Sequence, residues 1–203
     1  MRKNGRASSI QNGSSCVTSS NARSMVGWAF TEKSRILFPP DEHLGGNTAF
    51  DIGVLLDQMA VWNPLTDNLE FNGNLDDVRV ILWKGHCSVH ENFTVANIEE
   101  LRRRRPDMNI IVRPECRREA MALSDNNGST KYIIDAQQHP DKEIVSLNPN
   151  MCPCLTMNRI DLPHLLWSLE TVMTRETGNI IQVDKNTAAE AKLSLDRMLA
   201  RAT

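Results

Sequence analysis

An α/β fold with helices layered over parallel sheets is predicted by three observations on this 203-residue chain. Short runs rich in branched apolar residues, at Arg35 to Phe38, Asp77 to Trp83, Met108 to Val112 and Glu143 to Leu147, alternate with stretches of helical periodicity. That alternation is the signature of parallel strands joined by helical crossovers. The run of Val, Ile and Leu between Asp77 and Trp83 suits a strand covered on both faces. Three of the runs pass directly into loops that carry cysteine: Cys87, then Cys116, then Cys152 and Cys154. Loops at the carboxyl ends of strands are where open α/β folds bind ligands.

Taken in order, residues 1 to 15 are polar, rich in Ser, Gly and Asn, and predict a disordered lead-in or the frayed end of something removed. Ser19-Ser20-Asn21 offers caps to a helix carrying Met25, Val26, Trp28, Ala29 and Phe30. A buried strand at Arg35 to Phe38 is stopped by Pro39-Pro40. Leu44-Gly45-Gly46-Asn47 leads into a helix expected over Thr48 to Met59. After the strand ending at Trp83, Thr94 caps a helix that turns Ile98 and Leu101 inward and ends on Arg102 to Arg105. Those arginines complement the helix dipole and face water. Met108 to Val112 is a strand, Cys116 to Leu123 a helix, and Asn127-Gly128-Ser129-Thr130 opens a further helix. Glu143 to Leu147 is the last strand, followed by helices near Asp161 to Arg175 and Thr187 to Ala202. Only Gln137-Gln138-His139-Pro140 separates the helix at Ser129 from the strand at Glu143, a connection short enough to flag an excision.

Composition bounds the function. At 40% hydrophobic and 24% charged the chain is an ordinary soluble globular one. A net charge of −2 supplies no global attraction to nucleic acid or an anionic membrane. No segment is apolar for the length a membrane crossing needs, and the basic N-terminus lacks the apolar run of a secretory signal. A cytoplasmic location with reduced thiols is therefore expected, and five cysteines make no disulfide framework. The Asn-x-Ser/Thr triplets at Asn12, Asn92 and Asn127 carry no meaning for glycosylation there.

Several segments carry chemistry. Cys87 and Cys154 each sit in a loop before a helix, where thiolate is favoured over thiol. Thiolates converging from separate loops suit an iron–sulfur cluster or zinc. By spacing alone these are as readily small buried residues, since no Cys-x-x-Cys occurs. His86 and His90 are four apart, but His90-Glu91-Asn92-Phe93-Thr94 lacks the second histidine of a zinc-protease helix. Gly128-Ser129-Thr130 at a helix start presents N–H groups and hydroxyls to a phosphate or carboxylate, and Ser19-Ser20-Asn21 is a site of the same kind. Either is also an ordinary helix cap. Glu115, after Pro114 at a strand end, is placed to act as acid or base in a cleft, or is a plain surface glutamate.

Together, Thr18-Ser-Ser-Asn-Ala22, Trp83-Lys-Gly-His-Cys-Ser-Val-His-Glu91, Pro114-Glu-Cys116, Gly128-Ser-Thr130 and Cys154-Leu-Thr-Met-Asn158 resemble, in order, the quinolinate synthase family. The resemblance implies an enzyme that condenses iminoaspartate with dihydroxyacetone phosphate to quinolinate in NAD biosynthesis. It also implies a pseudo-threefold arrangement of αβα domains around a 4Fe-4S cluster held by one cysteine from each domain. Cys87 and Cys154 correspond to two of those ligands; the third has no counterpart here. By the same correspondence Ser19, Arg113, Pro114, Glu115, Ser129 and Thr130 are expected to anchor substrate, with Glu115 and His90 in catalytic roles. The implied organisation is a partial second domain over residues 1–76, a third domain over 77–150, and a C-terminal ligand loop with two helices over 151–203.

The same resemblance exposes departures. The family's first domain precedes the region present, and its Gly-Thr-Glu strand and following helix are absent between Ala136 and Gln137, where the short connection lies. Arg113 stands where the family has histidine, and Gly46 where it has arginine. Arginine stays protonated and lacks an acceptor, so it cannot shuttle protons as imidazole does, although it binds carboxylates well. Little or no synthase activity is thus expected of this chain alone. Two further expectations are a non-catalytic remnant binding an anion, or zinc through Cys87, His90 and Cys154, and one half of a split enzyme completed by a separate N-terminal chain.

Overall fold

A computed structural model describes residues 14–138, 144–147, 173 and 182–201. It is a mixed α/β protein with mostly parallel sheets and helices packed upon them, the layered arrangement expected from sequence. The element order is α1 (Ala22–Glu32), β1 (Ile36–Phe38), α2 (Glu42–Asp51), β2 (Met59–Asn63), β3 (Asn68–Phe71), β4 (Val80–Trp83), α3 (Val95–Arg104), β5 (Asn109–Val112), α4 (Arg118–Leu123), β6 (Asn126–Asn127), α5 (Thr130–Gln137), β7 (Ile144–Leu147) and α6 (Lys185–Leu199). The helix expected near Asp161 to Arg175 and the loop of Cys152 and Cys154 lie outside the described residues, Met173 excepted.

The first sheet has the order β1-β4-β2-β3. Strands β1, β4 and β2 run parallel, with Ile36 opposite Val80 and Met59 opposite the same Val80. The strand β4, placed from sequence at the head of the later unit, completes this earlier sheet. The second sheet, β6-β5-β7, is wholly parallel and pairs Ile111 with both Asn126 and Ser146. Each sheet has its own core. Ala22, Val26, Phe38, Leu44, Ala49, Val54, Met59, Val80 and Leu82 pack together in the first. Ile98, Ile110, Val112, Cys116, Ala120 and Met121 pack in the second.

One element differs from expectation in kind. The helix read as running on to Met59 instead spans Glu42–Asp51, and Met59 opens strand β2. The cause is local. Asp41 caps the N-terminus by accepting from the Leu44 N–H at 2.8 Å, so the helix starts early, and Gly53 at φ 92° adopts a left-handed conformation that ends it. The hairpin β2–β3, paired antiparallel from Ala60–Phe71 to Asn63–Asn68, then turns through Asp67 at φ 53°, a conformation Asp tolerates. Helix α2 lies so close to the sheet that a Cβ at Gly45 would stand 2.6 Å from Phe38 Cδ1. No helix among the described residues is long and apolar enough to cross a membrane.

Candidate functional site

The carboxyl end of β5 organises the site. Val112 is the last residue of an apolar strand, and the chain continues into Arg113, a charged side chain only 8% exposed. A guanidinium so enclosed must have its donors met. Its Nε donates to Glu115 Oε2 at 3.1 Å and its Nη2 to Glu115 Oε1 at 3.0 Å, a two-pronged ion pair. Nη2 also donates to Ser19 Oγ at 3.0 Å, and Nη1 to Thr130 Oγ1. Residues 19, 113, 115 and 130 are thus gathered on one guanidinium from the turn before α1, the loop after β5 and the first turn of α5.

That loop is braced from behind. Asn47, buried on α2, donates from Nδ2 to Pro114 O at 2.9 Å and Cys116 O at 2.8 Å. Pro114 is itself buried. Ser129 is the N-cap of α5, its Oγ accepting from Tyr132 N–H at 3.2 Å. The start of α5 is held beside β5 by the bond from Gly128 N–H to Val112 O at 3.1 Å.

The Cys87 loop approaches from the first sheet. It leaves β4 at Trp83, and Gly85 passes so near Pro40 that a Cβ there would lie 2.4 Å from the Pro40 carbonyl oxygen. Gly85 O accepts from Glu42 N–H at 2.7 Å. Cys87 is a free, half-buried thiol. His90, 2% exposed, lies in a short turn with its ring centroid 6.2 Å from that of Phe93. Cys154 lies outside the described residues. Among the described residues no three His, Cys, Asp or Glu side chains are grouped to hold a metal ion.

Charge and burial set the protonation of the surrounding groups. Burial pushes the Cys116 thiol up to about 12, the Glu115 charge adding to the rise. Cys116 is therefore a protonated core residue. Burial likewise raises the Asp41 carboxyl, outweighing the Leu44 N–H and His43, while Glu115 raises it further. Glu91 is the opposite case: burial raises it, but the hydrogen bonds from Arg117 and His43 prevail and hold it below the usual range.

The Asp41 shift has a checkable sign. A carboxyl raised by folding favours its protonated form, so its favourable contribution is present below its unfolded pKa and is lost as pH rises through the folded value. Asp41→Asn keeps a good cap without the charge. We expect it to be neutral or stabilising at pH 7, whereas Asp41→Ala loses about 1 kcal/mol, both read by urea unfolding. A clear loss of stability in Asp41→Asn would refute the charge argument.

The sequence assigned roles to Ser19, Arg113, Pro114, Glu115, Ser129 and Thr130; it gave none to Asn47, His43 or Arg117, and showed Glu91 only as the end of the Trp83 to Glu91 segment. Asn47 stood in view within Leu44-Gly45-Gly46-Asn47, but nothing in its spacing reveals a partner 67 residues away.

Comparison with known proteins bears on this arrangement. The family model described as Quinolinate synthetase A protein matches residues 4–138 and 136–200. Its two segments meet where the short connection was flagged. A quinolinate synthase of Bacillus cereus (strain G9842) is 60% identical over 214 residues, covering 94% of this chain and 58% of the relative. Quinolinate synthases of Bacillus thuringiensis (strain Al Hakam) and Bacillus anthracis (strain CDC 684 / NRRL 3495) are each 59% identical over the same coverage. The chain thus spans 58% of the length of these relatives.

Proposed function

Because the chain belongs to the quinolinate synthase family, we propose that its site is built for that family's anionic substrates, iminoaspartate and dihydroxyacetone phosphate, in a transferase reaction of cytoplasmic NAD biosynthesis. The observation that supports this is the convergence of Ser19, Glu115 and Thr130 on the buried Arg113 guanidinium. Planar, forked N–H donors in an enclosed setting match a carboxylate. The N-terminus of α5, with the Ser129 and Thr130 hydroxyls, suits a phosphate or second carboxylate.

These residues divide the work by their chemistry. A substrate carboxylate arriving at Arg113 competes with Glu115 for the same N–H donors. Once displaced, the Glu115 oxygens are available to take or return a proton, with His90 as the second proton-handling group. Ser19 and Thr130 keep the guanidinium plane in place while the exchange occurs.

The family reaction calls for a 4Fe-4S cluster. Of the thiols matched to its ligands, Cys87 is the one among the described residues, and those residues supply no three-donor set. They do not by themselves fit the cluster. For the 203-residue polypeptide on its own we infer impaired or absent synthesis.

Iron and acid-labile sulfide, measured per chain after anaerobic reconstitution, test this. Near-zero values with no quinolinate formed are expected. About four of each per chain, with quinolinate made at the rate of the Bacillus cereus relative, would overturn it.

The chain spans 58% of the Bacillus cereus relative, and a second reading is a split enzyme in which a separate chain supplies the third ligand. Co-expression with the unmatched portion of the Bacillus cereus relative is then expected to restore iron binding and activity. If neither returns, the non-catalytic remnant is the better description, and zinc retained without labile sulfide would mark it as a metal binder.

A further inference from the structure

We propose that Glu91 is a positioning residue that sets the Cys87 loop against the Arg113–Glu115 constellation, an inference that rests on reading Cys87 and that constellation as parts of one site. Glu91 lies where three pieces of the chain meet. Its own backbone N–H donates to Cys87 O at 3.0 Å, so the two ends of this tight turn move together. Its carboxylate reaches out in two directions. Oε2 pairs with His43 Nε2 at 2.9 Å, on the first turn of α2. Oε1 accepts from Arg117 Nη2, immediately after Glu115-Cys116.

The helix α2 therefore grips the cysteine loop on both sides. Glu42 N–H binds Gly85 O ahead of Cys87, and His43 binds Glu91 beyond it. The His43 ring also lies 6.2 Å from that of His86, the neighbour of Cys87. The same helix braces the Glu115 loop through Asn47. One carboxylate consequently ties the loop after β4 of the first sheet to the loop after β5 of the second.

An ordinary ion pair would lack this consequence. Arg117 is 55% exposed, and such a pair contributes little to stability. Glu91 is 21% exposed, with partners on two different elements, so its loss releases a loop rather than a surface contact. The two roles part on what happens to Cys87 itself.

The test is the rate of iodoacetamide alkylation of Cys87, followed by peptide mass mapping on the full chain at fixed pH. Cys116, buried and protonated, serves as the inert control, and Cys16 reports general loosening. In Glu91→Ala the Cys87 rate is expected to rise at least about fivefold, the lower end of coupling between sites, with Cys16 and Cys116 unchanged. Glu91→Gln retains an acceptor oxygen and should stay near the parent rate. Arg117→Ala should fall between, and Glu91→Ala/Arg117→Ala should match Glu91→Ala alone. A Cys87 rate in Glu91→Ala that stays within about twofold of parent, below any usual coupling, overturns the proposal. So does an equal rise at all three cysteines. Alkylation needs neither cluster nor substrate, so failure of the iron and quinolinate measurements leaves this result separately readable.

Discussion

Replacing Arg113 by alanine lowers the unfolding free energy by about 3–5 kcal/mol, the usual consequence of stripping one partner from a buried ion pair. The side chains of Arg113 and Glu115 are 8% and 14% exposed, so solvent screens them little. Without the guanidinium, the Glu115 carboxyl is left in an enclosed position without its partner, and the Ser19 and Thr130 hydroxyls lose a shared donor. The Arg113→Ala/Glu115→Ala double variant should recover much of the loss, because it removes the stranded carboxyl group along with its partner. Urea unfolding of parent, single and double variants makes the comparison. A single-variant loss below about 1 kcal/mol, the range of a surface pair, would show that the cluster is far more hydrated than its burial implies.

Asn47→Ala should cost about 2–4 kcal/mol, from two lost hydrogen bonds and two buried carbonyl groups left without that donor. Its Nδ2 serves both Pro114 O and Cys116 O, so the loss falls on the loop that carries Glu115. Asn47→Asp is expected to be at least as damaging. A carboxylate of the same shape places oxygen where the amide N–H₂ stood, facing two carbonyl oxygens. Thermal unfolding and hydrogen exchange at Arg113 to Arg117 would follow the effect. An Asn47→Ala variant with unchanged exchange in that segment would show that α2 does not brace it.

Legibility in the sequence followed the range of the interaction that decides each feature. Strands β1, β4, β5 and β7 were visible because apolar runs between breakers are local signals. The caps at Thr94 and Ser129 were visible for the same reason, each acting within three residues: Asn97 Oδ1 accepts from Thr94 N–H at 2.8 Å, and Ser129 Oγ from Tyr132 N–H. Strands β2 and β3 were missed. Met59 to Asn63 is short and weakly alternating, and its strand character comes from pairing with β4 and β3 rather than from propensity. The two-residue strand β6 exists only through its ladder with β5.

The candidate site divides in the same way. From residue types and order alone the chain determined its class, layered α/β with cysteine loops at strand ends; it took the family resemblance to single out Ser19, Arg113, Glu115 and Thr130 together. Only the tertiary structure decided that those four meet on a single guanidinium, that Cys116 is sealed in a core, and that Glu91 links the two cysteine-bearing loops. The reason is physical: spacing encodes contacts within a turn or a strand, whereas a guanidinium 94 residues from its serine partner is placed by the packing of sheets, helices and the loops between them.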